Sequence, residues 1–356
     1  MHREYDPALI GVLQNETYLI QEDGLDITVK PVPDDARRHV LDPRVLANAS
    51  KPAGAAAPSP SWTSLLGVRR RTLKADCELA STEVAFDEFL IEAGDHKIDL
   101  YSWSPARRSD SSPVLLYLHG GAFAAGDVTQ YRRALAFVAE QSGALVLFPE
   151  YRLAPEAPFP CAIEDCAAAV RYVLDHASEL GVDPSRLVIA GDSAGGSLAN
   201  ACIQMFPQGT FAHAIELYPE TFLLADDPEW SWDAYPVIAE QAEVARGRVE
   251  RLKGALEVVD EMYVQGKTGL DDPLVSACCA APDVLAAFPP TTVVTAEYDY
   301  LRVQGERFAR QLQTAGVPVQ TIRYAGCDHG FFEWPGVRPQ TEDLVLVIAG
   351  IISDLA

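Results

Sequence analysis

The sequence predicts an α/β fold, a mostly parallel sheet flanked by helices, and three observations carry that prediction. From Val114 onward short apolar runs alternate with longer helical patterns. A serine bracketed by glycines sits where one of those runs passes into a helix. The alternation is interrupted once, by about fifty residues from Glu220 to Asp271, the size of a cap inserted over a site.

A chain of 356 residues, 48% of them hydrophobic, can bury one large core, so one core domain with appended segments fits better than two equal domains. The expected division is an N-terminal cap or extension over 1–80, a first part of the core over 81–219, inserted cap helices over 220–270 and a second part of the core over 271–356. The formal charge of −23 opposes both a phosphate backbone and an anionic membrane surface. No basic-then-apolar leader opens the sequence and no run reaches the length of a membrane span, so the expected location is cytoplasmic. The seven cysteines are odd in number and lack CxxC spacing, which reads as reduced packing thiols.

Taken in order, residues 1 to about 80 carry no strong period and include a Pro/Ala/Ser-rich stretch, Lys51 to Pro60, that reads as a linker or arm. Two short helices are expected there, around Tyr5–Ile10 and Leu41–Leu46, because Asp-Pro precedes apolar residues in both; they could cover the site. Val84 to Trp103 alternates around Gly94-Asp95, a β-hairpin pattern. Buried strands are expected at Val114–Leu118, Ala144–Phe148, Leu187–Ala190, Ala214–Leu217, Thr292–Thr295 and Val319–Tyr324. Helical patterns cover Tyr131–Gln141, Ala162–Leu180, Gln241–Val264 and Val303–Ala315. The aromatic stretch Pro228 to Tyr235 reads as the cap's own core in preference to a substrate-lining wall.

Three motifs carry chemistry. In Gly191-Asp192-Ser193-Ala194-Gly195-Gly196, small residues permit a sharp strand-to-helix turn that lifts the Ser193 hydroxyl off the sheet. In His119-Gly120-Gly121-Ala122-Phe123, small residues leave backbone N–H groups open to a developing oxyanion; Gly121, Ala122 and Ala194 are the expected donors, and His119 a brace for the loop. Asp299 and His329 each follow a predicted strand and should emerge on the same sheet edge as Ser193. Their order, Ser then Asp then His, is that of α/β-hydrolases. Asp271, Asp272 and Asp328 are weaker candidates for the acid, as is Cys327 for the nucleophile. His2, His39, His96, His176 and His213 read as surface or packing residues, and no histidine pair has metal-ligand spacing on a helix.

The motifs HGGAF, YRLAPEAPFP, GDSAGG, DDPLVS, TAEYDYLR and DHGF follow one another from Glu83 to the C-terminus, and in this the chain resembles the bacterial hormone-sensitive-lipase-like esterases. The resemblance implies an eight-stranded α/β-hydrolase core, a helical cap built partly from the N-terminal segment, and cofactor-free hydrolysis of short- to medium-chain acyl esters through a Ser-His-Asp triad. It implies a homodimer through an edge strand as well. Two departures stand out: Ala122 replaces a third glycine, and Tyr300-Leu301-Arg302-Val303 stands where Pro-Leu-Arg-Asp is usual. Arg152 of the YRLAPEAP stretch is expected to pair with Glu164 or Asp165. The same machinery would serve an amidase or deacetylase; a small-molecule receptor on this fold is disfavoured because His329 and Asp299 are both present.

Overall fold

The computed structural model describes residues 3–49, 69, 75–109, 111–224 and 227–355; the expected linker Lys51–Pro60 lies outside them. The chain runs α1 (Ala8–Asn15), β1 (Tyr18–Glu22), β2 (Leu25–Lys30), α2 (Pro43–Ala49), β3 (Val84–Ala93), β4 (His96–Pro105), β5 (Ser112–Leu118), α3 (Val128–Ser142), β6 (Leu145–Pro149) and α4 (Cys161–Asp175). It continues through α5 (Ala177–Leu180), β7 (Val182–Asp192), α6 (Ala194–Met205), β8 (His213–Leu217), α7 (Ala242–Leu256), α8 (Pro282–Leu285), β9 (Thr291–Tyr298), α9 (Arg302–Thr314), β10 (Val319–Asp328) and α10 (Pro339–Ser353).

The strands form one sheet in the order β1-β2-β10-β9-β8-β7-β5-β6-β4-β3. Pairing is parallel from β6 through β5, β7, β8, β9 and β10 to β2, and antiparallel at the two ends, where β4 meets β6 and β3, and β1 meets β2. Its strands alternate between two cores. Val114, Leu116 and Leu118 of β5 join the side packed by α4, α6 and α9, whereas Leu115 and Tyr117 join the side packed by α3 and α10. That is the two-residue period of a strand buried on both faces, and it explains why these runs read as continuously apolar.

The sheet has ten strands where eight were expected, because the N-terminal segment adds β1 and β2 outside β10. The signal was present but short. Tyr18-Leu19-Ile20-Gln21-Glu22 and Leu25-Asp26-Ile27-Thr28-Val29-Lys30 flank Asp23-Gly24, and Glu22 pairs with Leu25 across that two-residue turn. Asp23 and Gly24 take φ of 50° and 82°, the left-handed pair that twists a tight hairpin correctly. The exposed edges are therefore β1 and β3, with β10 covered.

Both N-terminal helices form, shifted toward the C-terminus of their motifs. They do different things. Leu13 of α1 packs with Leu344 and Val345 of α10, on the flank of the sheet, so α1 does not cover the site. Val45 of α2 and the preceding Leu41 pack with Ala245 of α7 and Tyr298. The long helix expected over Gln241–Val264 is interrupted: α7 stops at Leu256, and Asp260–Val264 forms a π-helical turn closed by the Gln265 N–H on the Asp260 carbonyl. Among the described residues no helix is long and apolar enough to cross a membrane.

Candidate active site

Every residue of the predicted site lies at the carboxyl ends of the central strands, the edge where open α/β sheets bind ligands. Ser193 follows β7 and precedes α6, with φ 54° and ψ −121°, a region that a residue bearing a Cβ rarely occupies. Packing holds it there. Its N–H donates to the Leu217 carbonyl at 2.9 Å, and its own carbonyl accepts from the Gly196 and Glu220 amides, both at 3.0 Å. A Cβ at Gly195 would stand 2.0 Å from the Leu118 carbonyl oxygen, so α6 can start this close to β5 only with glycine at that position.

His329 follows β10 and Asp299 follows β9, which brings residues 136 and 30 positions apart in the chain into one line. The Ser193 hydroxyl lies 3.0 Å from Nε2 of His329, and Nδ1 of His329 lies 2.7 Å from Oδ2 of Asp299. A carboxylate can only accept, so Nδ1 carries the proton and Nε2 is left to accept from the serine. Asp299 is buried, and its second oxygen accepts from the Leu301 amide at 2.8 Å. Tyr218 meets the imidazole edge to face with centroids 4.9 Å apart. Ser193 is only 8% exposed, while the His329 side chain is 25% exposed, so the approach to this line opens on the histidine.

The glycine loop follows β5. Gly121, Ala122 and Phe123 have φ of 130°, 54° and 59°, three successive residues on the positive side, and the amides of Ala124 and Ala125 both donate to the Gly121 carbonyl. A Cβ at Gly121 would fall 2.0 Å from the Ala125 carbonyl oxygen, so a side chain is excluded there. Ala122 tolerates the left-handed region with its methyl group in place. Among the described residues, the amides of Gly121, Ala122 and Ala194 make no hydrogen bond within the protein.

Asp192 ties this loop to the serine turn, a role the sequence reading did not assign. Its Oδ1 accepts from the Gly120 amide and the Tyr117 hydroxyl, both at 2.9 Å, and its Oδ2 from the Tyr131 hydroxyl at 3.0 Å. Burial pushes its carboxyl up to about 6, with the nearby Glu333 charge adding to the rise and the three donors opposing it. The signal in the sequence was an ionisable residue at the end of a fully apolar strand. His119 braces the loop as expected: it stacks on Tyr151 at 4.1 Å, its Nδ1 donates to the Gly120 carbonyl at 2.8 Å, and burial lowers its pKa to about 4, which keeps it neutral. Arg152 pairs with Asp165 at 2.9 Å and with Glu164 at 3.5 Å. Arg69, from a segment with no legible motif, donates to the Ala124 carbonyl at 2.6 Å and pairs with Glu156, so the N-terminal extension reaches the glycine loop.

The rival candidates lie elsewhere or are otherwise engaged. Asp328 pairs with Arg338 at 2.6 Å and Arg248 at 3.4 Å, and Asp272 accepts from Thr268 and the Leu274 amide. Cys327 is buried and its thiol is pushed well up by desolvation, the opposite of a nucleophile's environment. His39 pairs with Glu297, His96 with Asp165 and Asp95, His176 with the Tyr172 carbonyl and His213 with Thr292. No disulfide joins the seven cysteines. Among the described residues no group of three or more His, Cys, Asp or Glu is placed to hold a metal ion. A cavity of about 500 Å³ lies between Tyr18, residues 31–40 and Glu297, and Ser193 does not line it. The aromatic stretch Pro228 to Tyr235 packs on itself and on Tyr300 and Leu301, as expected of a small core.

Comparison with known proteins points to the same fold. A family model described as the alpha/beta hydrolase fold matches residues 115–333. The chain is similar to Esterase LipI of Mycobacterium tuberculosis, with 35% identity over 239 residues that span 67% of this chain and 71% of that one. Among solved structures it is similar to carboxyl esterase 2 of the mycorrhizal fungus Tuber melanosporum, at 28% identity and a TM-score of 0.69 over 88% of this chain and 99% of that one. It is also similar to an esterase of Rhizomucor miehei, at 26% identity and a TM-score of 0.74 over 89% and 97% of the two chains. With its serine turn, glycine loop and sheet in the arrangement described above, the chain belongs to the α/β-hydrolase family, among the hormone-sensitive-lipase-like esterases.

Proposed function

We propose that the protein is a serine carboxylesterase that hydrolyses short- to medium-chain acyl esters of small molecules through an acyl-enzyme. The observation that carries this reading is the continuous line from Ser193 through His329 to Asp299, with contacts of 3.0 and 2.7 Å. In this mechanism Nε2 of His329 takes the Ser193 proton as the oxygen attacks the ester carbonyl. Asp299 holds the tautomer and stabilises the imidazolium that forms. The amides of Gly121, Ala122 and Ala194 receive the oxyanion, and collapse expels the alcohol with the proton from His329. Water, deprotonated by the same Nε2, then attacks the acyl-serine and releases the acid. Residues 220–270 act as the cap that bounds the acyl pocket.

The test is hydrolysis of p-nitrophenyl esters of increasing acyl length by the purified protein and by Ser193→Ala. Turnover should be greatest on short and medium chains, and the variant should lose on the order of 10⁴-fold or more in kcat, because triad members act as a unit. A Ser193→Ala protein with near-full activity would overturn the assignment. Turnover of N-acyl substrates alone would redirect it to amide hydrolysis.

A further inference from the structure

The loop that carries Asp299 is tied to the cap at three consecutive cap residues. The Tyr235 hydroxyl donates to the Asp299 carbonyl at 3.1 Å and approaches the Tyr300 carbonyl at 3.3 Å. On one side of that bond the Tyr298 hydroxyl donates to the Pro236 carbonyl at 3.0 Å, and on the other the Arg302 guanidinium donates to the Ala234 carbonyl. Arg302 also donates through Nε to the Glu297 carbonyl at 3.1 Å, and its guanidinium lies 4.9 Å from the centre of the Tyr235 ring. Both ends of the acid's loop are therefore gripped by one short cap segment.

We infer that Tyr235 is a positioning residue for the reaction, and that the cap, beyond bounding the pocket, sets the orientation of Asp299 toward His329. The physical case rests on where the bonds fall. Among the described residues the Asp299 carboxylate is hydrogen-bonded only to His329 and the Leu301 amide, so the direction of the carboxylate follows its backbone. That backbone leaves the sheet at Tyr298, and its carbonyl at 299 is held by the Tyr235 hydroxyl. Tyr235 itself is 5% exposed and packed against Trp230, Trp232, Val249, Tyr300 and Leu301. The departure from the family pattern fits the same device. Tyr300, in place of proline, sets its ring 5.6 Å from Trp230, and the Lys253 ammonium lies 4.2 Å over Trp230. The loop is thereby pinned to α7 by packing that a proline would not supply.

The inference rests on the esterase reading of this site, and its test is chosen so that the two can fail separately. Tyr235→Phe keeps the ring and removes only the hydroxyl. We expect kcat on a short p-nitrophenyl ester to fall about 10-fold with KM within twofold, below the ~100-fold that a misplacement of about 1 Å can cost. We also expect the downfield proton NMR resonance of the His329 Nδ1–H, which reports its bond to Asp299, to move upfield or broaden. Wild-type kcat and an unchanged resonance in the variant would overturn the inference; so would a rise in KM or a loss of thermal stability with kcat intact, which would make Tyr235 a packing residue only. Absence of ester hydrolysis by the wild-type protein would defeat the esterase reading, yet the resonance would still decide this one: a shift supports it and no shift overturns it. Should Tyr235→Phe fail to fold, Tyr298→Phe, which removes the neighbouring bond to Pro236, is read by the same criteria with an expected loss of about 3-fold.

Discussion

The two halves of the candidate site are held in place by different parts of the molecule. The serine turn and the glycine loop, at the ends of β7 and β5, are fixed from inside the core: Gly195 lets α6 press against Leu118, and the buried Asp192 bonds both the Gly120 amide and two core tyrosines. Asp299 and His329, at the ends of β9 and β10, are fixed from outside, where the loop around Asp299 is held by Ala234, Tyr235 and Pro236. The lesson is that stability and geometry are coupled in the first half and separable in the second. Changes on the serine side should cost fold and activity together, whereas changes on the acid side should cost rate with the fold largely intact.

The sharpest way to break that comparison is Gly195→Ala. Its new Cβ would meet a backbone oxygen 2.0 Å away, and no side-chain rotation can relieve the clash. We expect a loss of about 3 kcal/mol or more of stability, seen as a large fall in the denaturation midpoint, with activity lost in parallel. A variant that keeps its midpoint but not its activity would mean that the serine side is no more core-locked than the acid side. Asp192→Ala comes next. It removes the acceptor for two buried tyrosine hydroxyls and one of the two partners of the Gly120 amide. About 2 kcal/mol should be lost, since an unsatisfied buried group costs about 1–3 kcal/mol, with kcat falling as the glycine loop loosens. Tyr235→Phe, by contrast, should leave the midpoint close to wild type.

Per pH unit, the smallest effect should appear in the dependence of stability on pH. Glu216, in the middle of β8, is buried, and desolvation pushes its carboxyl up to about 8 against the single opposing bond from Asn200. Its folded-state pKa lies above its unfolded one, so the native state holds a proton that the unfolded chain has released. The stabilisation from this group is therefore complete below the ordinary glutamate pKa and is lost as pH rises toward 8. Glu220 is shifted in the same direction to about 8 and Glu150 to about 7, both chiefly by burial. Wild-type thermal stability should fall between pH 5 and 8, with each such group contributing a slope of about 1.4 kcal/mol per pH unit at most. Glu216→Gln should flatten that slope while leaving kcat unchanged, and an unaltered slope would remove Glu216 as a contributor.

How much of this was legible in the sequence follows the same division. The serine turn, the glycine loop and the brace of His119 on it are written in contiguous residues, because a sharp turn and a close helix–strand approach demand small side chains at fixed offsets. Asp299 and His329 were legible more indirectly, as polar residues just beyond apolar strands. Asp192 was visible in the same motif as Ser193 but gave no sign of its partners, since Tyr117 and Tyr131 lie 75 and 61 positions away and meet it only through strand adjacency and helix packing. The hairpin of β1 and β2 was legible in principle from Asp23-Gly24 between alternating residues, but a period of two over five or six residues is a short signal.

By itself, then, the sequence determined the α/β alternation, the strand-end positions of Ser193, Asp299 and His329, and the run of small residues in the glycine loop. All of these follow from local rules: the period of buried strands, the space that small residues leave, and the chain order of strand ends. Tertiary structure alone decided that the sheet extends to ten strands, that α1 lies on the flank while α2 meets α7, that Arg69 reaches the glycine loop, and that Tyr235 of the aromatic cluster holds the backbone of Asp299. Those contacts join residues tens to hundreds of positions apart, and their energy comes from burial and hydrogen bonding between surfaces that exist only once the chain has folded.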